Sequence, residues 1–211
     1  MNTTLAGEDV VLDADRALYW PRARTLVVAD LHFGKAHVFR SAGIGIPKGS
    51  TTKDLARIDA LVARHGAERV LVLGDFVHGP SRSDAPWAER VRAWRRERTQ
   101  LAVQVVKGNH DRHFDARALG IDVVAEPSLE RPFAFAHHPG PHPDAYALAG
   151  HLHPGVVLAG PHERAARLPA FRFGDAVGLV PAFGSLTGLW TEAPKANERV
   201  FVVAGGSVIA L

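Results

Sequence analysis

No cysteine occurs among the 211 residues. Disulfides and thiolate metal sites are therefore excluded, and any metal must sit on nitrogen and oxygen. Long apolar runs are missing too: none approaches the ~20 residues that a membrane span needs. The start, "MNTTLAGEDVVLD", has no basic segment followed by an apolar core, so no signal peptide is expected. A cytoplasmic protein with no membrane partner is the expectation. Charge of one sign is also scarce. The net charge of +3 permits an anionic partner without demanding one. There is no repeat, no low-complexity tract and no linker, and the length suits one domain over residues 1–211. The oligomeric state is not written in these features. Histidine, by contrast, is plentiful. There are twelve, several beside glycine, aspartate or asparagine at the ends of apolar runs.

The apolar periodicity predicts an early hairpin over 10–20 and a buried strand over 24–30. It predicts a helix over 50–66, with Ser50, Thr51 or Thr52 as cap and Gly66 at the end. A second strand over 69–75, a helix over 84–100 and a third strand over 101–109 follow. This β-α-β-α-β alternation implies an α/β sheet with helical crossovers. After Gly120 short β-like runs take over, separated by Gly and Pro turns, as expected of a second sheet packed on the first. In the helix "WAERVRAWRRER", Trp87, Val91 and Trp94 share a face and should meet the core. Its arginines, Arg90, Arg92, Arg95, Arg96 and Arg98, are either a nucleic-acid surface or an ordinary solvated face; the solvated face is favoured.

Ligands of open α/β sheets bind outside the carboxyl ends of the strands. Five places put polar residues there: Asp30 and His32 in "VVADLH"; Asp75 and His78 in "VLGDFVH"; Asn109, His110 and Asp111 in "VVKGNHD"; His137 and His138 in "FAFAHH"; His151 and His153 in "YALAGHLH". Each alone reads as a strand-end turn. Together they do not. Asp-x-His and His-x-His put two ligands on one side of an extended segment. Carboxylates, an amide oxygen and imidazoles without sulfur suit Mn²⁺, Fe²⁺, Zn²⁺ or Co²⁺. Seven ligands exceed one tetrahedral zinc site, so two ions are expected. Such a pair stabilises the attacking and departing oxygens of displacement at phosphorus. Gly108 is expected to let the backbone turn sharply before Asn109.

The blocks "DLH", "GDFVH", "GNHD", "HH" and "GHLH", in that order, resemble the signature of the calcineurin-like metallophosphoesterases. The resemblance implies a four-layer αββα sandwich of two mixed sheets flanked by helices. It implies that Asp30, His32 and His153 hold a first metal, that Asp75 bridges, and that Asn109, His137 and His151 hold a second. His137 is preferred to His138 because it follows the apolar strand directly. His110 resembles the catalytic histidine that assists the leaving group, with Asp111 orienting it. The nucleophile implied is a water or hydroxide between the ions. Manganese is the first choice of metal, with iron, zinc, cobalt or nickel as alternatives. "VVADLHFGKAHVFR", "GIPKG", "AHHPGP" and "LVPAFGSLTG" resemble a narrower group, the ligase-associated (PdeM-like) DNA damage response endonucleases. That likeness implies a DNA or nucleotide phosphodiester substrate, a role in DNA repair, and association with an ATP-dependent DNA ligase and a helicase. Lys35, Arg112 and His78 are the candidates for the phosphate, with Arg40, Lys48 and His113 close to the blocks. A phosphomonoesterase, a cyclic-nucleotide phosphodiesterase, or a scaffold that lost catalysis are the alternatives. His37, His65, His142 and His162 match no block and are expected to be ordinary surface or turn residues.

Overall fold

The computed structural model describes residues 1–78, 85–112, 115–159 and 165–211. His113 and His162 lie outside that set. Two sheets form. The first runs in chain order, from β1 (Asn2–Leu5), β2 (Glu8–Asp13), β3 (Ala17–Trp20) and β4 (Thr25–Val28) to β5 (Arg69–Leu73), β6 (Ala102–Val106) and β7 (Asp122–Val124). Its first four strands are antiparallel and its last four parallel. The crossovers carry α1 (Lys35–Ser41), α2 (Ser50–His65) and α3 (Pro86–Arg96). Parallel strands need such connections because their ends lie at opposite edges.

The second sheet contains β8 (Ser128–Glu130), β9 (Phe133–Ala136), β10 (Tyr146–Ala149), β12 (Ala166–Phe173), β13 (Val177–Leu179), β14 (Arg199–Ala204) and β15 (Ser207–Ala210). Its order is β15-β14-β12-β13-β10-β9-β8, and β11 (Gly155–Leu158) pairs with β12 off that path. Strands β9, β10 and β13 run parallel and the others antiparallel, so both sheets are mixed.

Period-2 alternation divides the core. Leu26, Val28, Val70, Val72, Val103 and Val105 face Leu55, Ile58, Leu61, Trp87, Val91 and Trp94 of α2 and α3. Their neighbours Val27, Leu71, Leu73 and Val106 face Phe133, Phe135, Leu148, Phe171, Phe173 and Phe201 of the second sheet. Central strands buried on both faces must be apolar throughout, as "TLVV" and "VLVL" are. The outer face of the second sheet holds a smaller cluster of Val156, Ala170, Val200 and Val202. The described helices cover the first sheet.

One expectation changes in detail. The cap position of α2 is Gly49, in the left-handed region, with no side-chain bond to the helix end. The residues expected to cap, Ser50, Thr51 or Thr52, are already the first turn. Four of the five arginines in and just after α3 are held by other residues of the chain: Arg92 and Arg96 by Glu89, Arg98 by Asp59, and Arg95 by the carbonyls of Arg98, Leu101 and Gly120.

Candidate metal centre

The ends of β4, β5, β6, β9 and β10 converge on one edge of the sandwich. Asp30 and His32 leave β4, Asp75 leaves β5, and Asn109 with His110 leaves β6. His137 leaves β9, and His151 with His153 leaves β10. Turning a side chain off a strand end into a shared centre requires an unusual backbone. Asp30, His32, Asp75, His151 and His153 all have positive φ, between 49° and 68°. That region costs a non-glycine residue about 1 kcal/mol or more, and such residues gather at functional sites. The loops are zipped together: His32 N–H donates to the Asp75 carbonyl at 2.8 Å and Phe33 N–H to the Phe76 carbonyl at 2.9 Å. The "FGSLTG" segment buttresses them, with Phe183 N–H on the Ala29 carbonyl at 2.7 Å and Gly184 N–H on the Asp30 carbonyl at 3.2 Å.

Gly108 has a different job from the expected one. Its backbone is extended, with φ −90° and ψ 173°, so no sharp turn needs it. A Cβ there would lie 2.2 Å from the Asp75 nitrogen and 2.4 Å from its Oδ1. Gly108 is there to let the Asp75 loop in.

Within the site, lone pairs outnumber donors. Asp30 is fully buried, and its Oδ1 has no hydrogen-bond partner among the described residues. It lies 3.7 Å from His153 Nε2 and 3.8 Å from His137 Nδ1. His32 Nε2 faces His153 Nε2 at 3.3 Å and Asp75 Oδ2 at 3.8 Å. His137 is fully buried, and its Nδ1 donates to the Leu73 carbonyl at 3.1 Å. Its Nε2 lone pair then points at Asn109 Oδ1 (2.8 Å), His151 Nδ1 (3.0 Å) and Asp75 Oδ1 (3.5 Å). A carbonyl that fixes one ring nitrogen leaves the other free to bind a metal. A buried carboxylate oxygen without a donor, beside converging imidazole lone pairs, fits cations.

Protonation agrees. Burial, then the charges of Lys35, His153, His78 and His110, push the His32 imidazole down to about 2. Burial, Lys35 and His110 lower His78 to about 4. Burial and then its histidine neighbours also lower His151. Neutral imidazoles are the ligand form.

Other expected residues divide. The His110 ring stacks on His78 at 4.6 Å, and its Nε2 lies 4.0 Å from Asp75 Oδ2. His78 Nδ1 also meets His32 Nδ1 at 3.3 Å. Lys35 is half-buried, its pKa lowered by burial and partly restored by Asp30 and Asp75. Arg112 is exposed. Asp111, expected to orient His110, is buried beside it. Its oxygens accept the backbone N–H groups of Gly108 (2.9 Å), Val77 (3.0 Å) and Phe76 (3.3 Å), tying the β6 loop to the β5 loop. Burial raises its pKa against those hydrogen bonds. His138 is half-exposed and engaged by Glu126 at 3.2 Å. Glu126 was not anticipated. Its Oε1 accepts the backbone N–H of His137 at 2.8 Å and of His138 at 2.6 Å, anchoring the end of β9. A lone glutamate before a proline carries no local signal of this. Among the unmatched histidines, His37 is exposed, His142 is half-buried, and His65 pairs with Asp13 at 2.9 Å.

A profile of the calcineurin-like phosphoesterases matches residues 23–210. The chain belongs to the calcineurin-like phosphoesterase family. The Pseudomonas putida nuclease MPE has a TM-score of 0.87 and 39% identity, over 100% of this chain and 99% of that one. The E. coli phosphoesterase Yfce is 17% identical, with a TM-score of 0.45, over 88% of this chain and 96% of that one. No curated protein sequence matches it. As a member of this family, the chain is a metal-dependent phosphoesterase.

Proposed function

We propose that residues 1–211 act as one metallophosphoesterase domain that hydrolyses phosphodiester bonds of nucleic acid with two divalent ions. The observation that carries this is the buried, donor-less Asp30 Oδ1 at the meeting point of five strand ends. Asp30, His32 and His153 would hold one ion, Asn109, His137 and His151 the other, with Asp75 between. His137 is chosen over His138 because its free nitrogen faces Asn109 and Asp75. The sulfur-free set supports manganese first. Bound ions would neutralise phosphate charge and acidify water. The chain's own groups do the rest. His110, one-third exposed at the rim and stacked on His78, is placed to give its proton to the leaving oxygen. Lys35, His78 and Arg112 are proposed to bind the non-reacting phosphate oxygens. Asp111 and Glu126 hold the β6 and β9 ends in place. The nuclease neighbour and the subgroup-like blocks support DNA as substrate and a repair role, in which a DNA ligase and a helicase would be partners.

The test is the manganese-loaded His110→Ala variant, assayed on an aryl phosphodiester and a DNA oligonucleotide. A loss of about 10²–10⁴-fold in kcat is expected. Undiminished hydrolysis by rigorously purified variant would contradict the mechanism. A higher kcat/KM on the aryl diester than on the monoester is expected; the reverse order would favour the phosphomonoesterase alternative.

A further inference from the structure

A small crevice of about 50 Å³ lies beside the centre, between the start of α1, the start of α2 and the start of α3. It is lined by Gly34, His37, Arg40, Thr51, Trp87 and Arg90, among others, and no acidic side chain among the described residues lines it. Everything polar that it offers is a donor or can act as one. The first turn of the sixteen-residue α2 has neither a side-chain cap nor an acidic residue, so its leading N–H groups are open. Thr51 and Trp87 are each 8% exposed, and neither side chain hydrogen-bonds to any described residue. The Trp87 indole nitrogen sits over Gly34, where a Cβ would come within 2.9 Å of it. The other tryptophan of the helix is satisfied, its Nε1–H donating to Asp59 at 2.8 Å.

Charge points the same way. Of the arginines in and just after α3, Arg92, Arg96 and Arg98 are paired with carboxylates, whereas Arg90 contacts only the Pro86 carbonyl among the described residues. Arg40 likewise reaches only the Ile46 carbonyl, at 3.5 Å. These two guanidinium groups belong to α1 and α3, two of the three helices that line the crevice. Its volume is about that of one or two waters, which suits one oxyanion and excludes a nucleobase.

We propose that this crevice is a phosphate subsite, one that holds a backbone phosphate of the nucleic-acid strand next to the scissile one. This inference rests on the nucleic-acid reading above. Gly34, which lines the crevice, stands two residues after His32 of the metal centre, so one loop joins the two sites. A strand whose scissile phosphate sits at the ions runs onto α2's open N-terminus, where Thr51, Trp87 and the backbone donate hydrogen bonds. Arg40 and Arg90 neutralise the phosphate from the solvent side.

The test compares manganese-loaded wild type with the Arg40→Ala/Arg90→Ala double variant and with Trp87→Phe, which keeps the ring and removes the N–H. Substrates are a single-stranded DNA oligonucleotide and an aryl phosphodiester too small to span both sites. The double variant should raise KM for the oligonucleotide about tenfold. It should also flatten log KM against log salt by about 0.7, for the one phosphate no longer neutralised. Trp87→Phe should raise KM about threefold with an unchanged salt slope, and kcat/KM on the aryl diester should stay at the wild-type value in both. Wild-type KM and salt slope in the double variant would overturn the subsite, as would an equal loss on both substrates. If wild type hydrolyses the aryl diester but no oligonucleotide, the nucleic-acid reading itself has failed.

Discussion

At the scale of the residue, the site is built from geometry that ordinary side chains avoid and from gaps where side chains are missing. Gly108 is the sharpest case. Alanine there would place a carbon 2.2 Å from the Asp75 nitrogen, so the loop must shift. Gly108→Ala is expected to cost about 1–3 kcal/mol, as overpacking does. It should also weaken manganese binding, because Asp75 is the group displaced. Urea unfolding read beside a metal titration checks this, and wild-type values in both would refute it. His32 makes a pH prediction. The unfolded imidazole takes a proton near 6.5, whereas the folded one resists until about 2. Between those values the unfolded chain binds more protons, so stability is lost as pH falls below about 6.5. The slope is on the order of 1 kcal/mol per pH unit for such a group. The urea midpoint of the metal-free protein should be lower at pH 5.5 than at pH 7.5. An equal or higher midpoint would show that His32 is not held neutral.

At the scale of the element, strands mount the site and buried polar pairs fix their ends. Arg172 of β12 is 1% exposed, donates to Glu198 and to the Glu192 carbonyl, and packs over Trp190. Removing one partner of such a pair leaves the other uncompensated, at about 3–5 kcal/mol. Arg172→Ala should therefore lower the thermal midpoint by several degrees while the folded fraction keeps its kcat. A parallel loss of kcat would place Arg172 in the site's own support. These contacts also mark what a sequence can reveal. Alternation made the central strands readable, and the i, i+2 pairs at their ends exposed Asp30, His32, His151 and His153. Gly66 ended α2 as its spacing implied. Glu126 and the backbone contacts of Asp111 were not readable, because each depends on backbone N–H groups brought in from another loop. The open N-terminus of α2 was hidden for the same reason: serine and threonine at a helix start suggest a cap, and only the backbone shows that the cap position is Gly49. Strands β1, β8 and β15 are short edge strands, and α1 is a seven-residue helix; neither kind of element is long enough to show a period.

At the scale of the whole molecule, two mixed sheets bring five strand ends to one edge, and both sheets are needed to complete the centre. The first supplies Asp30, His32, Asp75 and Asn109; the second supplies His137, His151 and His153. Metal binding should therefore report on the packing of one sheet against the other. Saturating manganese is expected to raise the thermal midpoint by mass action, since the unfolded chain lacks the centre. Chelation should reverse this, and a midpoint indifferent to metal would count against a centre shared by the sheets. The most direct test of the account is manganese stoichiometry beside hydrolysis, for wild type and for Asp75→Ala. The account predicts two ions per wild-type chain, with aryl phosphodiester hydrolysis appearing as both sites fill. It predicts that Asp75→Ala, still folded, binds fewer ions and loses hydrolysis by at least about 10²-fold. A wild-type chain fully active with one ion or none, or an Asp75→Ala chain that keeps two ions and full activity, would contradict it.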